Sequence, residues 1–133
     1  MKSPNLYIYG GGGHGQVVAD IARSVGYQNI SFLDDAHGCK FDEHLPKGDI
    51  IVAVGENAVR ERLGRKVAAA GFRLVSLVHP SAVISPDVIL GNGVVVMPLA
   101  VINAGACVNE GAIINIEAWR DAVVDLVESR RTY

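Results

Sequence analysis

The sequence predicts an α/β protein: a small Rossmann-like parallel sheet domain, then a short left-handed parallel β-helix of hexapeptide repeats, then a C-terminal helix. Strand-like and helix-like segments alternate over residues 1–78, a six-residue period runs through residues 79–117, and helical spacing returns in residues 118–133. Alternating strands and helices favour a parallel sheet with helices on its faces, whereas a fixed short period indicates a solenoid. We therefore expect two domains followed by an atypical tail.

The composition narrows the class of protein. The 133 residues are 50% apolar and 20% charged, with a net charge of -2, which is typical of a globular chain and argues against a basic nucleic-acid binder. No apolar run approaches the ~20 residues that cross a bilayer, and the N-terminus lacks the apolar core of a secretory signal. We expect a cytoplasmic protein without a membrane span, in which Cys39 and Cys107 stay reduced.

The first domain is predicted to contain four strands and two helices. In chain order we expect a strand at Leu6–Tyr9, a helix at Gln16–Val25, a strand at Ile30–Leu33, a loop at 36–48, a strand at Asp49–Val54, a helix capped by Asn57 and running to about Ala70, and a strand at Phe72–Val78. The strands are almost uninterrupted apolar runs, as expected for a parallel sheet buried on both faces. Each helix places apolar residues along one face and is followed by glycine.

The second domain repeats an apolar triplet every six residues, from Ala82–Ile84 to Ala112–Ile114, with turn-like triplets between. Three hexapeptides form one coil of a left-handed β-helix, so residues 79–117 make about two coils. We expect the central residue of each triplet to point inward, namely Val83, Ile89, Val95, Val101, Cys107 and Ile113. Trp119 would then be too large for the next inward position, so we expect a helix there that either caps the solenoid or forms a frayed tail.

A glycine-rich loop joins the first predicted strand to the first predicted helix. Gly10, Gly12 and Gly15 satisfy the pattern G-x-G-x-x-G, and a helix N-terminus after such a loop attracts phosphate. Asp34 follows the next strand, where an acid can accept hydrogen bonds from a ribose or a base. This combination favours a phosphate-containing ligand over a purely structural turn beside a solvated acidic pair.

Four strands supply only one half of a dinucleotide site, which favours a nucleoside diphosphate over NAD. Gly55 ends the third strand at the same sheet edge and forms a second wall of the site. His14 either donates to a phosphate, acts on an amine, or is an exposed loop histidine. Arg60 either reaches the ligand or belongs to a solvated helix face. No spacing of cysteine, histidine and acidic residues predicts a metal site.

The combination of motifs resembles a known family. It is similar to the bacterial sugar acetyltransferases of the sialic acid O-acetyltransferase type. Four segments carry the resemblance: the loop Gly10–Gly15, the strand end Leu33–Asp35, the segment Val54–Asn57, and His79–Ala82 before the hexapeptide repeats. Within that family they most resemble the UDP-4-amino-sugar N-acetyltransferases of bacillosamine synthesis in protein glycosylation. The resemblance covers about residues 5–115.

The resemblance implies an acetyl-CoA-dependent transfer to a UDP-amino sugar. In this family the first domain binds the nucleotide sugar, and the β-helices form a homotrimer with acetyl-CoA between neighbours. By the same resemblance, Gly12, Gly13 and His14 contact the sugar diphosphate, Asp34 and Asp35 lie near the uridine, and Gly55 belongs to the same site.

One departure concerns catalysis. The resemblance places a histidine base, followed by an acid, a few residues after Asn115, and that position holds Ala122. A near-neutral histidine suits proton removal from an attacking amine, yet no histidine follows His79. We therefore assign no catalytic residue and expect a truncated or frameshifted chain that is inactive or weak alone. The alternatives are a non-catalytic module that binds a nucleotide or NAD, and a structural fragment that binds neither.

Overall fold

A four-stranded parallel sheet precedes a stack of very short strands in residues 5–115, the part of the chain that the computed structural model describes. The sheet strands are β1 (Asn5–Tyr9), β2 (Asn29–Leu33), β3 (Asp49–Val52) and β4 (Arg73–Leu74), and the helices are α1 (Gly13–Ser24) and α2 (Asn57–Ala69). The strand order is β2-β1-β3-β4, so the chain direction across the sheet reverses between β1 and β3. That reversal opens a crevice at the carboxyl edge of the sheet.

The two helices cover opposite faces of the sheet because side chains alternate along each strand. On β1, Leu6 and Ile8 join a buried cluster with α1, whereas Tyr9 joins a second buried cluster with α2. All four residues of β3 are buried, as the apolar run predicted. The parallel sheet and its helical layers are therefore confirmed.

Both helices begin at residues other than those predicted. The first starts at Gly13 rather than Gln16, with Gly12 in extended conformation as its N-cap. Glycine has a low helix propensity, so residue type alone does not place Gly13 in a helical turn. The second is capped by Glu56 rather than Asn57, because the Glu56 carboxylate accepts hydrogen bonds from the Ala58 and Val59 amides, both at 3.2 Å.

The second domain is a parallel β-helix. Its strands are β5 (Leu77–Val78), β6 (Val83–Ile84), β7 (Ile89–Leu90), β8 (Val95–Val96), β9 (Val101–Ile102), β10 (Cys107–Val108) and β11 (Ile113–Ile114). They form three ladders, β5-β8-β11, β6-β9 and β7-β10, all parallel. Partners are three hexapeptides apart, as the period predicted.

The expectation of one strand over Phe72–Val78 is wrong. Arg73–Leu74 pairs with β3, but Leu77–Val78 pairs with β8 and so begins the first coil of the β-helix. Ser76 lies between the two and fixes the change of direction, since its hydroxyl donates to the Gly91 carbonyl at 2.8 Å and accepts from the Val94 amide at 3.0 Å. The domain boundary at residue 78 stays a prediction, although this pairing favours an earlier one.

The predicted inward register of the β-helix is wrong. Val83 is 63% exposed and Ile89 is 70% exposed, and Val101 and Cys107 are exposed as well. The first and third residues of each triplet fill the interior instead, because residues two apart on a strand share a face. The interior cluster contains Val94, Val96, Ala100, Ile102, Val108 and Ile114, with Val78, Ala82, Ile84, Val88, Leu90, Ala106 and Ala112 packed against it.

The ladder β5-β8-β11 packs on the sheet domain. Leu77 and Val95 are almost fully buried in the same cluster as Leu6, Ile8 and Val18. These central residues therefore also point out of the β-helix, but they are covered by α1 and the sheet.

The tail falls outside residues 5–115. The predicted C-terminal helix at 118–133 therefore lies outside the described residues, and so do residues 116 and 117 of the predicted β-helix. The same holds for the predictions about Trp119 and Ala122. In residues 5–115, neither helix combines the length and the apolar character needed to cross a bilayer.

The register makes a testable prediction about two isoleucines. Ile102 is 2% exposed in the β-helix interior, so Ile102→Ala should lower the free energy of unfolding by about 2–5 kcal/mol. Ile89 points outward, so Ile89→Ala should change it by no more than about 0.5 kcal/mol. Urea unfolding at a concentration where the chain is monomeric measures both, and a larger loss for Ile89→Ala would refute the register.

Candidate functional site

The glycine loop lies at the carboxyl edge of the sheet, beside the crevice between β1 and β3. A Cβ at Gly10 would lie 2.5 Å from the Ala53 carbonyl oxygen, and φ at Gly10 is +135°. A Cβ at Gly15 would overlap the Gly10 carbonyl oxygen in turn. These two glycines therefore let three backbone segments approach closely, and they shape the loop rather than the space above it.

Gly12 and Gly13 have a different environment. A Cβ at either position would meet no atom of residues 5–115 within 4 Å. Gly12 caps α1, and the first turn of α1 contains no acidic residue to neutralise the N–H groups there. The two glycines thus border open space at a helix N-terminus, an arrangement that suits an anionic group.

His14 lies in the first turn of α1 and is half-buried. Its Nε2 atom is buried and has no hydrogen-bond partner within residues 5–115. Burial lowers the pKa of His14 from its usual 6.5, and the Arg60 charge lowers it further. A neutral imidazole can donate to a phosphate or accept from an amine, so both functional interpretations of His14 stay open, whereas a fully exposed loop histidine is excluded.

Asp34 joins the glycine loop to the following loop. Its carboxylate accepts hydrogen bonds from the Ala36 amide at 2.9 Å and the His37 amide at 3.2 Å. These bonds, Ala36 first, lower the pKa of Asp34, and a further bond from the Gly11 amide acts in the same direction. The ionised carboxylate of this half-buried residue lies beside Gly11, at the open side of the loop.

Asp35 is engaged elsewhere. It accepts hydrogen bonds from the Tyr9 hydroxyl and, at 3.1 Å, from the Phe41 amide. The Tyr9 bond lowers the pKa of Asp35, while burial raises the pKa of Tyr9. Asp35 thus anchors the loop at 36–48 against the face covered by α2, with Lys66 over the Phe41 ring. Its contact with a ligand stays a prediction.

Gly55 borders the opposite side of the crevice. It is exposed, and a Cβ there would meet no atom of residues 5–115 within 4 Å. Its carbonyl, however, accepts a hydrogen bond from Arg60 at 3.1 Å. The structure therefore brings the glycine loop and Gly55 to one sheet edge, as predicted from the strand ends.

Arg60 is buried, and neither interpretation of it from the sequence describes its environment. It is 9% exposed, and its guanidinium donates to the carbonyls of Val54, Gly55 and Gly111 and to the Asn57 side chain. Helical spacing alone could not reveal this, because the carbonyl of Gly111 comes from the other domain. Tyr9 was missed for the same reason: its partner Asp35 lies 26 residues away.

Comparison with known proteins shows a similarity to acetyltransferases. Residues 5–67 match the family model of the PglD N-terminal domain. The structure resembles the acetyltransferase domain of PglB from Neisseria gonorrhoeae, with a TM-score of 0.77 and 39% sequence identity over 85% of this chain and 62% of that chain. The chain is similar to the bacterial sugar acetyltransferases.

Other sugar acetyltransferases show the same similarity. A curated relative, UDP-N-acetylbacillosamine N-acetyltransferase from Bacillus subtilis, is 30% identical over 110 residues, covering 70% of this chain and 51% of its own length. PerB from Caulobacter crescentus, solved in complex with CoA and GDP-perosamine, has a TM-score of 0.75 and 37% identity, covering 84% of this chain and 59% of that one. This chain therefore spans about half to three fifths of the length of these relatives.

The low pKa of His14 makes the stability of the protein pH-dependent. In the unfolded chain His14 protonates near pH 6.5, but in the folded chain it protonates only at lower pH. Between these values the unfolded state binds more protons, so stability falls as the pH drops below about 6.5. His14→Gln should remove this part of the loss. Thermal midpoints from pH 7.5 to 5 measure it, and parallel profiles of the two proteins would contradict the prediction.

Proposed function

We propose that this chain binds a nucleotide-linked amino sugar, a UDP-amino sugar, as the substrate domain of an acetyl-CoA-dependent acetyltransferase. The observation that carries the proposal is the open N-terminus of α1: Gly12 and Gly13 leave space above backbone N–H groups at a sheet switch point. The diphosphate would lie there, because a helix N-terminus stabilises anions and glycine admits close approach. His14, Asp34 and Gly55 line the same edge and would contact the rest of the ligand.

The nucleotide is proposed from the size of the site and from the relatives. The sheet in residues 5–115 has four strands with a single reversal of strand order, one half of a dinucleotide fold, which suits a nucleoside diphosphate better than NAD. The curated relative is named for a UDP sugar, whereas PerB was solved with a GDP sugar. UDP is our proposal, and Asp34 is the side chain that we expect to face the nucleoside.

Acetyl-CoA is proposed as the acyl donor, since the PglB domain was solved with acetyl coenzyme A. In the reaction, the sugar amine attacks the thioester carbonyl, a proton leaves the nitrogen, and the carbon–sulfur bond breaks to release CoA. The proton needs a base of near-neutral pKa, and the sequence contains no histidine after His79. We therefore propose that this chain alone supplies little or no transfer, even if it binds the sugar nucleotide.

The outward faces of the β-helix support the proposed homotrimer. Val83 and Val101 lie on one ladder, and Ile89 and Cys107 lie on the next, all exposed. Apolar side chains that recur on adjoining flat faces are typical of surfaces that pack against another chain. Self-association would cover both faces of each copy.

Leu99 gives this proposed association a specific test. It has φ of +65° and is 62% exposed, whereas the three other turns with positive φ at the equivalent corner have Gly93, Gly105 and Gly111 there. An exposed leucine in a left-handed conformation costs about 1 kcal/mol without gaining burial in the monomer. Leu99→Gly should keep the unfolding free energy unchanged or raise it by up to about 1 kcal/mol, yet weaken self-association.

Sedimentation velocity across a concentration series measures that association, with Val17→Ala as the control. Val17 is an exposed apolar residue of α1, away from the β-helix faces. A monomeric unmodified chain would refute the trimer, and a trimer unaffected by Leu99→Gly would refute the role of Leu99.

The substrate proposal is tested by calorimetric titration with UDP, a UDP-amino sugar, GDP and NAD. We expect binding of the uridine ligands, and at least tenfold weaker binding in Gly12→Val, whose added methyl groups would occupy the space of the diphosphate. Gly48→Val is the matched control, because Gly48 precedes β3 at the opposite edge of the sheet.

The other outcomes separate the alternatives. Preference for GDP would keep the transferase proposal and change its nucleotide. Preference for NAD would replace it with a dinucleotide-binding module. Failure to bind any nucleotide would leave a structural fragment.

A further inference from the structure

We propose that Arg60 is a positioning residue that couples the sugar-nucleotide site to the β-helix, by holding Gly55 on one side and the turn before β11 on the other. This inference rests on the proposed function for its ligand, but the coupling itself can be observed without any ligand. The side-chain hydrogen bonds of Arg60 within residues 5–115 go to Val54, Gly55, Asn57 and Gly111, so it would act on a ligand through the residues that it holds.

The first observation is how the guanidinium is satisfied. Nη1 donates to the Val54 carbonyl at 3.0 Å and the Gly55 carbonyl at 3.1 Å, and Nη2 donates to the Asn57 side chain at 2.7 Å. These partners form the segment between β3 and α2, one wall of the crevice. A buried cation bonded to several groups of one loop fixes that loop in one conformation, because releasing any of them would leave a charged donor unsatisfied.

The second observation is the bond to the other domain. Nε donates to the Gly111 carbonyl at 2.5 Å, and Gly111 directly precedes the triplet of β11. A cleft of about 460 Å³ lies between α2 and this turn, and Arg60 bridges it. At the same corner of the previous coil, Gly93 packs against Leu74 of β4. The glycine corner of the β-helix thus contacts the sheet domain in both coils: Gly93 packs against Leu74, and Gly111 accepts the hydrogen bond from Arg60.

The third observation links Arg60 to the glycine loop. His14 stands on the opposite side of the crevice from Gly55, and its pKa is lowered first by burial and then, in addition, by the Arg60 charge. Arg60 itself remains charged, since a guanidinium stays protonated in proteins. It therefore acts on both walls of the site: by hydrogen bonds at Gly55 and by its charge at His14.

Two substitutions separate these effects. Arg60→Met removes both the charge and the donors, while Arg60→Lys keeps the charge but cannot reach the four acceptors with one ammonium group. Arg65→Met is the matched control, because Arg65 lies on α2 beside the same cleft but is exposed and paired with Glu61. Each variant is compared with the unmodified chain for UDP and GDP affinity, for the His14 pKa by NMR, and for amide hydrogen exchange.

We expect Arg60→Met to weaken nucleotide binding at least tenfold, to raise the His14 pKa towards 6.5, and to speed exchange both at 55–57 and at 109–111. Arg60→Lys should weaken binding and speed exchange but keep the His14 pKa low. Arg65→Met should change none of the three. If Arg60 had only a structural role, both Arg60 variants would lower the thermal midpoint, and the His14 pKa would not differ between Arg60→Met and Arg60→Lys.

The outcomes distinguish the coupling from the proposed function. If the unmodified chain binds neither nucleotide but exchange rises at both segments in the Arg60 variants, the substrate proposal fails and the coupling stands. A folded Arg60→Met protein with unchanged exchange at 109–111 overturns the coupling. If Arg60→Met does not fold, Arg60→Lys is the variant that tests the proposal. If Arg60→Lys has the same nucleotide affinity and the same amide exchange as the unmodified chain, the proposal is overturned.

Discussion

The packing of one β-helix face into the core of the sheet domain is the constraint on which the rest of the structure depends. Leu77 and Val95 project out of the β-helix, yet they are buried with Leu6, Ile8 and Val18 in a single cluster. The apolar cluster on the α1 face of the sheet is completed by these β-helix residues, so the two domains have a fixed relative orientation. The turn at 109–111 can reach Arg60 only because the first coil is held in this way.

The sequence predicted the architecture where local patterns were sufficient. The six-residue period predicted the ladders, and the glycine loop and the strand ends predicted that Gly12, Gly13, Asp34 and Gly55 would meet at one edge. It could not assign the inward residues, because all three residues of a triplet are apolar and the central ones are needed on outer faces. Nor could it show that Leu77–Val78 leaves the sheet, since a strand entering a β-helix is as apolar as one staying in a sheet.

The candidate site was predictable to a smaller extent. Local motifs identified the loop, but Arg60 and Asp35 depend on partners that are distant in the chain: Gly111 for the first and Tyr9 for the second. Such long-range hydrogen bonds assign a charged side chain to a structural role that its own helix or loop cannot reveal. The same partners determine the electrostatics, since the buried guanidinium helps to keep His14 neutral while hydrogen-bond donors keep Asp34 and Asp35 ionised.

The alternation within each β-helix triplet has a consequence for how such a protein can diverge. The first and third residues determine how well a coil is filled, whereas the central residue determines what the outer face presents to a neighbour. Substitution at an exposed central position such as Val83 or Val101 can change the outer face while leaving the interior intact. The filling of a coil and the chemistry of its exposed faces are therefore separable traits in this fold, free to evolve at different positions of the same repeat.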